Sequence, residues 1–134
     1  MKQGKPIRAT RHVAAGLVLA VAAVPATAAE QTRCGWLGNP TPANWFLDDA
    51  DGVWTLSVQG GWVADGFYDL PPGDPALVDE WVSSNGEPGR SSYGYGCACV
   101  TGTFDAATGH VLSASAMETL RLSRCRADPN LPAE

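Results

Sequence analysis

The chain has 134 residues, 45% of them apolar, and nine basic against fourteen acidic side chains, for a formal charge of −5. That balance argues against a nucleic-acid partner, because phosphate binding needs a cationic face. It argues equally against docking on an anionic membrane surface.

The chain opens like an export signal. Lys2, Lys5, Arg8 and Arg11 precede an apolar run from Val13 to Val24, and Ala26-Thr27-Ala28 follows. Charge, apolar stretch and A-x-A in that order predict a cleavable signal peptide over residues 1–28. The run of 12 residues falls short of the about 20 needed to span a bilayer. The product is therefore expected in the periplasm or outside the cell, with no stable membrane insertion after cleavage. Cleavage would leave five arginines, no lysine and fourteen acids, a balance of −9. Such acidity keeps an exported protein soluble and permits a cationic partner. Residues 29–126 are expected to form a single domain, and residues 127–134 a frayed tail.

Cys34, Cys97, Cys99 and Cys125 are an even count, and in an oxidising compartment they predict two disulfides. A Cys97–Cys99 bond would close a small strained ring. Each of the two remaining pairings joins Cys34 to one member of the C-x-C pair and Cys125 to the other. Either should stabilise the domain by roughly 3–4 kcal/mol per bond in the chain-entropy model. A structural metal is disfavoured, since only His110 follows the signal and no second cysteine pair has zinc spacing. No cofactor is implied. No L-x-[GA]-C pattern surrounds Cys34, so it does not read as an acylated lipoprotein cysteine.

Along the chain, Asp48-Asp49-Ala50-Asp51-Gly52 and Asp105-Ala106-Ala107-Thr108-Gly109 share the pattern D-x-A-[DT]-G between β-type runs. Each predicts a three-residue hairpin loop with a bulge at its glycine, at Ala50–Gly52 and Ala107–Gly109. The first register opposes Asp49 to Val53 and Phe46 to Leu56. It places Trp54, Leu56 and Val58 on one face with Phe46. The second opposes Ala106 to His110, and Val100, Gly102 and Phe104 to Ala116, Ala114 and Leu112. Cys97, Cys99, Thr101 and Thr103 then lie on the far face, so the disulfides should clamp the Cys34 and Cys125 segments to the side away from the main core. Between the hairpins, Asp74-Pro75 predicts a short helix carrying Leu77, Val78, Trp81 and Val82 and ending at Asn85-Gly86. Leu120 to Arg124 reads as a last short strand. The predicted class is mainly β: a small disulfide-braced sheet or partly closed barrel built on two hairpins with one short helix.

Several strings carry a family resemblance. They are Arg33-Cys34-Gly35-Trp36 with Asn39-Pro40-Thr41-Pro42-Ala43-Asn44, Asp51-Gly52-Val53-Trp54, Gln59-Gly60-Gly61, Tyr93-Gly94-Tyr95-Gly96-Cys97-Ala98-Cys99, and Cys125-Arg126 with Asp128-Pro129. Together they resemble an exported bacterial family, domain of unknown function 4087, across the mature chain. The resemblance implies a small cysteine-paired exported domain. It brings no activity and no catalytic residues.

No catalytic signature stands out. Asp49-x-Asp51-Gly52 resembles the start of a calcium loop but lacks the closing glutamate, where Gly60 stands. His110 beside Asp105 has no nucleophile or metal partner at a catalytic spacing. An enzyme is therefore disfavoured. Among the five tryptophans, Trp54 and Trp81 fit the core pattern, while Trp45 and Trp62 are expected to be the exposed ones. The Tyr93–Gly96 loop, braced by the cysteines, could be an aromatic binding loop. A binding site is expected from Trp62, Tyr93 and Tyr95 with Asp65 nearby. The favoured function is a non-catalytic binding or inhibitor module of the cell envelope that captures a cationic exported protein. The alternative is a carbohydrate-binding or small hydrolytic domain acting on envelope glycans.

Overall fold

The computed structural model describes residues 28–77, 80–86 and 90–134. Its strands are β1 (Glu30–Thr41), β2 (Asn44–Asp49), β3 (Gly52–Ser57), β4 (Val82–Ser83), β5 (Gly94–Asp105) and β6 (His110–Leu120), followed by α1 (Leu122–Arg126). The expected signal peptide up to Thr27, and Val78 of the expected helix, lie outside the described residues.

The predicted mainly β class holds. β1 pairs antiparallel with both β2 and β5, β2 with β3, and β5 with β6. β3 meets β6 through one parallel contact, Thr55 with His110. The result is a partial ring. Where β3 and β6 diverge, the segment from Trp62 to Asp65 fills the seam. Ala64 N–H donates to the Leu56 carbonyl at 2.8 Å, and Asp65 N–H to the Leu112 carbonyl at 3.0 Å. β4 adds to β5 at Gly94 and Tyr95, beyond the Cys97–Leu120 pair that ends the β6 ladder.

β2 alternates between buried and half-exposed positions, and so does β5 from Ala98 onward, while Gly96, Cys97 and Ala98 are buried in succession. The main core gathers Leu37, Leu47, Leu56, Val100 and Val111 around Trp45, Trp54, Phe67 and Phe104. Full burial of each aliphatic side chain contributes roughly 1.5–3 kcal/mol. The opposite face of β5 carries a second cluster, in which Cys97 packs with Trp36, Leu122 and Cys125. The bonds are Cys34–Cys99, between directly opposed residues of β1 and β5, and Cys97–Cys125. Both obey the expectation that Cys97 and Cys99 take different partners.

Both hairpin turns lie where predicted, but both loops differ by one residue from the predicted length. Asp49 pairs with Gly52, leaving a two-residue loop, and Asp105 pairs with His110, leaving four. In each turn an aspartate carboxylate organises the loop. Asp49 Oδ1 accepts Asp51 N–H at 2.8 Å, and Asp105 Oδ1 accepts Ala107 N–H at 3.0 Å, each two residues on. Asp49, not Asp48, is thus the counterpart of Asp105. Phe46 therefore opposes Thr55 rather than Leu56, and Leu47 takes the core position opposite Trp54. In the second hairpin Phe104 opposes Val111. Irregularities on either side restore the predicted Gly102–Ala114 pair and then shift Val100 to Met117. A β-carbon on Gly102 would run into the Ser113 carbonyl, so this close approach of the strands requires glycine.

Three further expectations are corrected. Asp74 does cap a turn, with Oδ1 accepting Ala76 N–H at 2.9 Å. Only a 3₁₀ turn, Pro75–Leu77, follows, and Val82 sits in strand β4 rather than in a helix. Leu77, expected on the buried face of that helix, is exposed. The one short α-helix is α1, where a strand was expected. It has no side-chain N-cap, and Leu122 and Cys125 bury it against the second cluster.

The third is the C-terminal segment, which is tied down rather than frayed. Leu131 packs on the second cluster, and Trp36 Nε1–H donates to the Pro132 carbonyl at 3.0 Å. Arg126 holds both carboxylate oxygens of Glu134 at 2.6 Å, and Tyr95 Oη–H donates to Glu134 at 2.6 Å. The hydrogen bonds from Arg126 and then Tyr95 pull the Glu134 carboxyl from its ordinary 4.5 down to about 2. A depressed carboxyl stabilises the docked tail above its unfolded value and loses that contribution as pH falls through the folded one. Tail docking, followed by the Tyr95 and Trp36 side-chain NMR signals, should be constant above about pH 4.5 and fade towards pH 2. Glu134→Gln should abolish the transition. An unchanged profile in that variant would assign the transition to other groups.

Candidate functional site

One groove of about 420 Å³ opens at the end of the ring where the β1–β2 turn meets the segments before β4 and β5. That is within the size of small-ligand sites, roughly 300–1,000 Å³. Trp45 and Phe67, both buried, meet edge-to-face at 5.9 Å. Tyr68 is 56% exposed, with its hydroxyl 2.8 Å from that of the buried Ser57. Tyr93 is half-buried, and Asp74 and Ser91 lie alongside it on the wall.

Local sequence places each wall. Trp45 points inward because it shares the buried register of β2 with Leu47 and Asp49. The end of β1 supplies Asn39, and the β1–β2 turn supplies Pro42 and Ala43. Ala43 takes a left-handed backbone, φ 57°, and its carbonyl accepts the Ser57 hydroxyl at 2.7 Å. The 3₁₀ turn Phe67–Asp69 sends Phe67 into the core and Tyr68 outward. Ser91 Oγ–H donates to Asp74 Oδ2, linking two loops across the groove.

The four residues expected to share one site fall in three places, with Trp62 and Asp65 together at one of them. Tyr93 lines this groove. Tyr95 lines a second, shallower one of about 340 Å³ on the outer face of β1 and β2, with Trp36, Phe46 and Val53. There burial, and secondarily the Asp49 charge, raises the Asp48 carboxyl above its ordinary value. Trp62 lies at the β3–β6 seam, stacked on His110 with ring centroids 4.6 Å apart and 14° between planes. Its indole N–H donates to the Val111 carbonyl at 3.1 Å. Asp65 is exposed at the same seam, paired with Ser113. Trp45, expected at the surface, is a core residue, while Trp62 is partly exposed as expected. Trp54 is buried and Trp81 packs half-buried on the core.

The Tyr93–Gly96 segment has a structural duty as well. Gly94 has φ 148°, and a β-carbon there would meet the Val82 carbonyl. Its residues from Gly94 onward belong to β5, not to a loop. Asp49 and Asp51 are engaged by Arg33 at 3.0 and 2.7 Å. Among the described residues, no group of three or more His, Cys, Asp or Glu could hold a metal ion. No helix among them is long and apolar enough to cross a membrane.

Sequence reasoning missed Tyr68, Phe67, Asn39 and the wall role of Asp74. The signal for Asn39, Pro42 and Ala43 was the string Asn39-Pro40-Thr41-Pro42-Ala43-Asn44. Tyr68 sits in a Gly/Pro/Asp-rich connector with no periodic pattern to mark it.

Fold and groove together define a small disulfide-braced β domain with an aromatic-walled cleft at one end of the ring. The chain belongs to the family described as protein of unknown function (DUF4087), which matches residues 28–132. No curated protein and no solved structure matches it.

Proposed function

We propose that this protein is an exported, non-catalytic binding module of the cell envelope, and that the groove between Trp45, Phe67, Tyr68 and Tyr93 is its binding site. The observation that carries this reading is the convergence of four aromatic side chains from three segments on one cleft of about 420 Å³. Aromatic rings offer large contact area at low entropy cost, which is why they dominate binding surfaces. Two disulfides support an oxidising compartment. Binding rather than hydrolysis draws support from Asp74, the one carboxylate among the described residues of the groove wall. Glycoside hydrolysis ordinarily uses two facing carboxyl groups. The second reading, a glycan-binding domain, draws on the exposed Tyr68 ring, which resembles a sugar-stacking platform.

The test is the double variant Tyr68→Ala with Tyr93→Ala. Neither ring is fully buried, so the thermal midpoint should change little. Capture of envelope components by the immobilised protein should fall at least about tenfold, as loss of anchor residues does. Undiminished capture with a normal melt would remove the groove from the binding function.

A further inference from the structure

We infer that the groove takes a cation, the guanidinium or ammonium of an arginine or lysine side chain presented by a partner protein. This rests on the reading of the groove as the binding site and assigns its occupant.

The argument is an inventory of protons. Ser57 Oγ has one, and donates it to the Ala43 carbonyl at 2.7 Å. In its 2.8 Å contact with Tyr68 the phenol is therefore the donor, which leaves the Tyr68 oxygen only lone pairs to offer. Asn39, oriented to satisfy its neighbours, gives its amide hydrogens to the Thr41 and Asn44 carbonyls at 2.7 and 3.0 Å. Its Oδ1 remains as an acceptor. Ser91 commits its hydroxyl proton to Asp74 Oδ2. Asp74, ionised, has no proton, and after accepting from Ala76 and Ser91 its oxygens keep further lone pairs. The Trp45 indole and the Tyr93 hydroxyl are the remaining side-chain donors on the wall.

A cleft so rich in acceptors selects a ligand that brings donors. An anion would face the Asp74 carboxylate, and the described lining residues include no lysine or arginine to offset it. A neutral sugar brings as many acceptors as donors, and those acceptors would be left poorly met at a cost. A guanidinium or ammonium brings donors alone. The faces of Tyr68 and Tyr93 suit a cation held within about 6 Å of a ring centroid. Five arginines against fourteen acids beyond the predicted signal add a long-range field that draws a basic partner.

The experiment is an NMR titration of the folded, oxidised protein with three probes: a capped Gly-Arg-Gly peptide, the same peptide with citrulline in place of arginine, and a neutral N-acetylglucosamine oligomer. Citrulline keeps the shape of arginine and removes its charge. The arginine peptide should shift the Trp45 indole and Tyr93 signals, and the citrulline peptide should bind at least tenfold more weakly. Asp74→Asn, which can still accept from Ala76 N–H, should weaken arginine binding by a similar factor, as should raised salt. Equal binding of the arginine and citrulline peptides overturns the inference. A shift with the oligomer alone overturns it while keeping the groove as a binding site. No shift with any probe also overturns it, and the tyrosine double variant then decides separately whether the groove binds anything. Should Asp74→Asn misfold, the citrulline comparison on the unaltered protein still decides.

Discussion

Replacing Asp49 with alanine is expected to cost about 3 kcal/mol of folding stability, a large share of the roughly 5–15 kcal/mol a small domain possesses. Two losses combine. The Arg33 guanidinium lies 4.4 Å over the Trp54 ring and 5.3 Å from that of Phe104, with its Nε buried and unpaired. Asp49, only 6% exposed, faces it at 3.0 Å. Asp51 also holds Arg33 but is itself largely in water, so it compensates poorly for a missing Asp49. The second loss is the turn, because Asp49 Oδ1 accepts the N–H groups of Asp51 and Gly52 at 2.8 and 3.2 Å. Asp49→Asn keeps that acceptor and should cost measurably less than alanine. Adding Arg33→Met to Asp49→Ala should restore part of the loss, since removing both charges is gentler than removing one. Urea melts of the four proteins check this. If Asp49→Ala lies within 0.5 kcal/mol of the unaltered protein, about the scatter of a neutral surface change, the cluster contributes nothing.

Removal of the Cys97–Cys125 bond by paired alanine substitution should cost about 3 kcal/mol in the chain-entropy model. It should also release the chain from Arg121 onward. Both sulfurs sit inside the second cluster, where Leu122 and Trp36 depend on α1 being held against β5. α1 has five residues, and its N-cap residue Arg121 makes no side-chain cap bond, so it is too short to persist alone. Limited proteolysis should cut within residues 121–134 in the variant and spare the unaltered protein. The Cys34–Cys99 bond behaves differently. It joins two strands already laddered along ten residue pairs. Its loss should lower the melting temperature without opening that C-terminal segment to protease. Identical cleavage patterns for the two variants would refute this division of labour.

The hairpins were legible because two local signals coincide, a period-two apolar alternation and an Asp/Gly turn. Their registers were not: in the first, the turn acceptor Asp49 is also held by Arg33, sixteen residues upstream, and in the second the ladder shifts at irregularities on either side of Gly102 and Thr103. β1 escaped notice for a related reason. It is paired on both sides, and its neighbours Trp36 and Leu37 are buried in different clusters. A strand serving two cores shows no single apolar face. The cap at Asp74 was real, but a cap fixes a helix start and not its length. In the groove, Tyr93 was visible as an aromatic among glycines. Tyr68 and Asp74 join it only through the return of the chain in space, which no local pattern records.

The double pairing of β1 also bears on how the molecule assembles. β1 meets β2 nearby in sequence, but its longest ladder is with β5, which Cys34 and Cys99 reach across 65 residues. Contacts so far apart along the chain carry the loop-closure entropy that slows folding. The two hairpins can form from neighbours alone, whereas the ring can close only when the first strand is laid between them. The N-terminal strand, the earliest part of the domain to leave a ribosome or a translocation pore, is thus expected to be among the last to find its place.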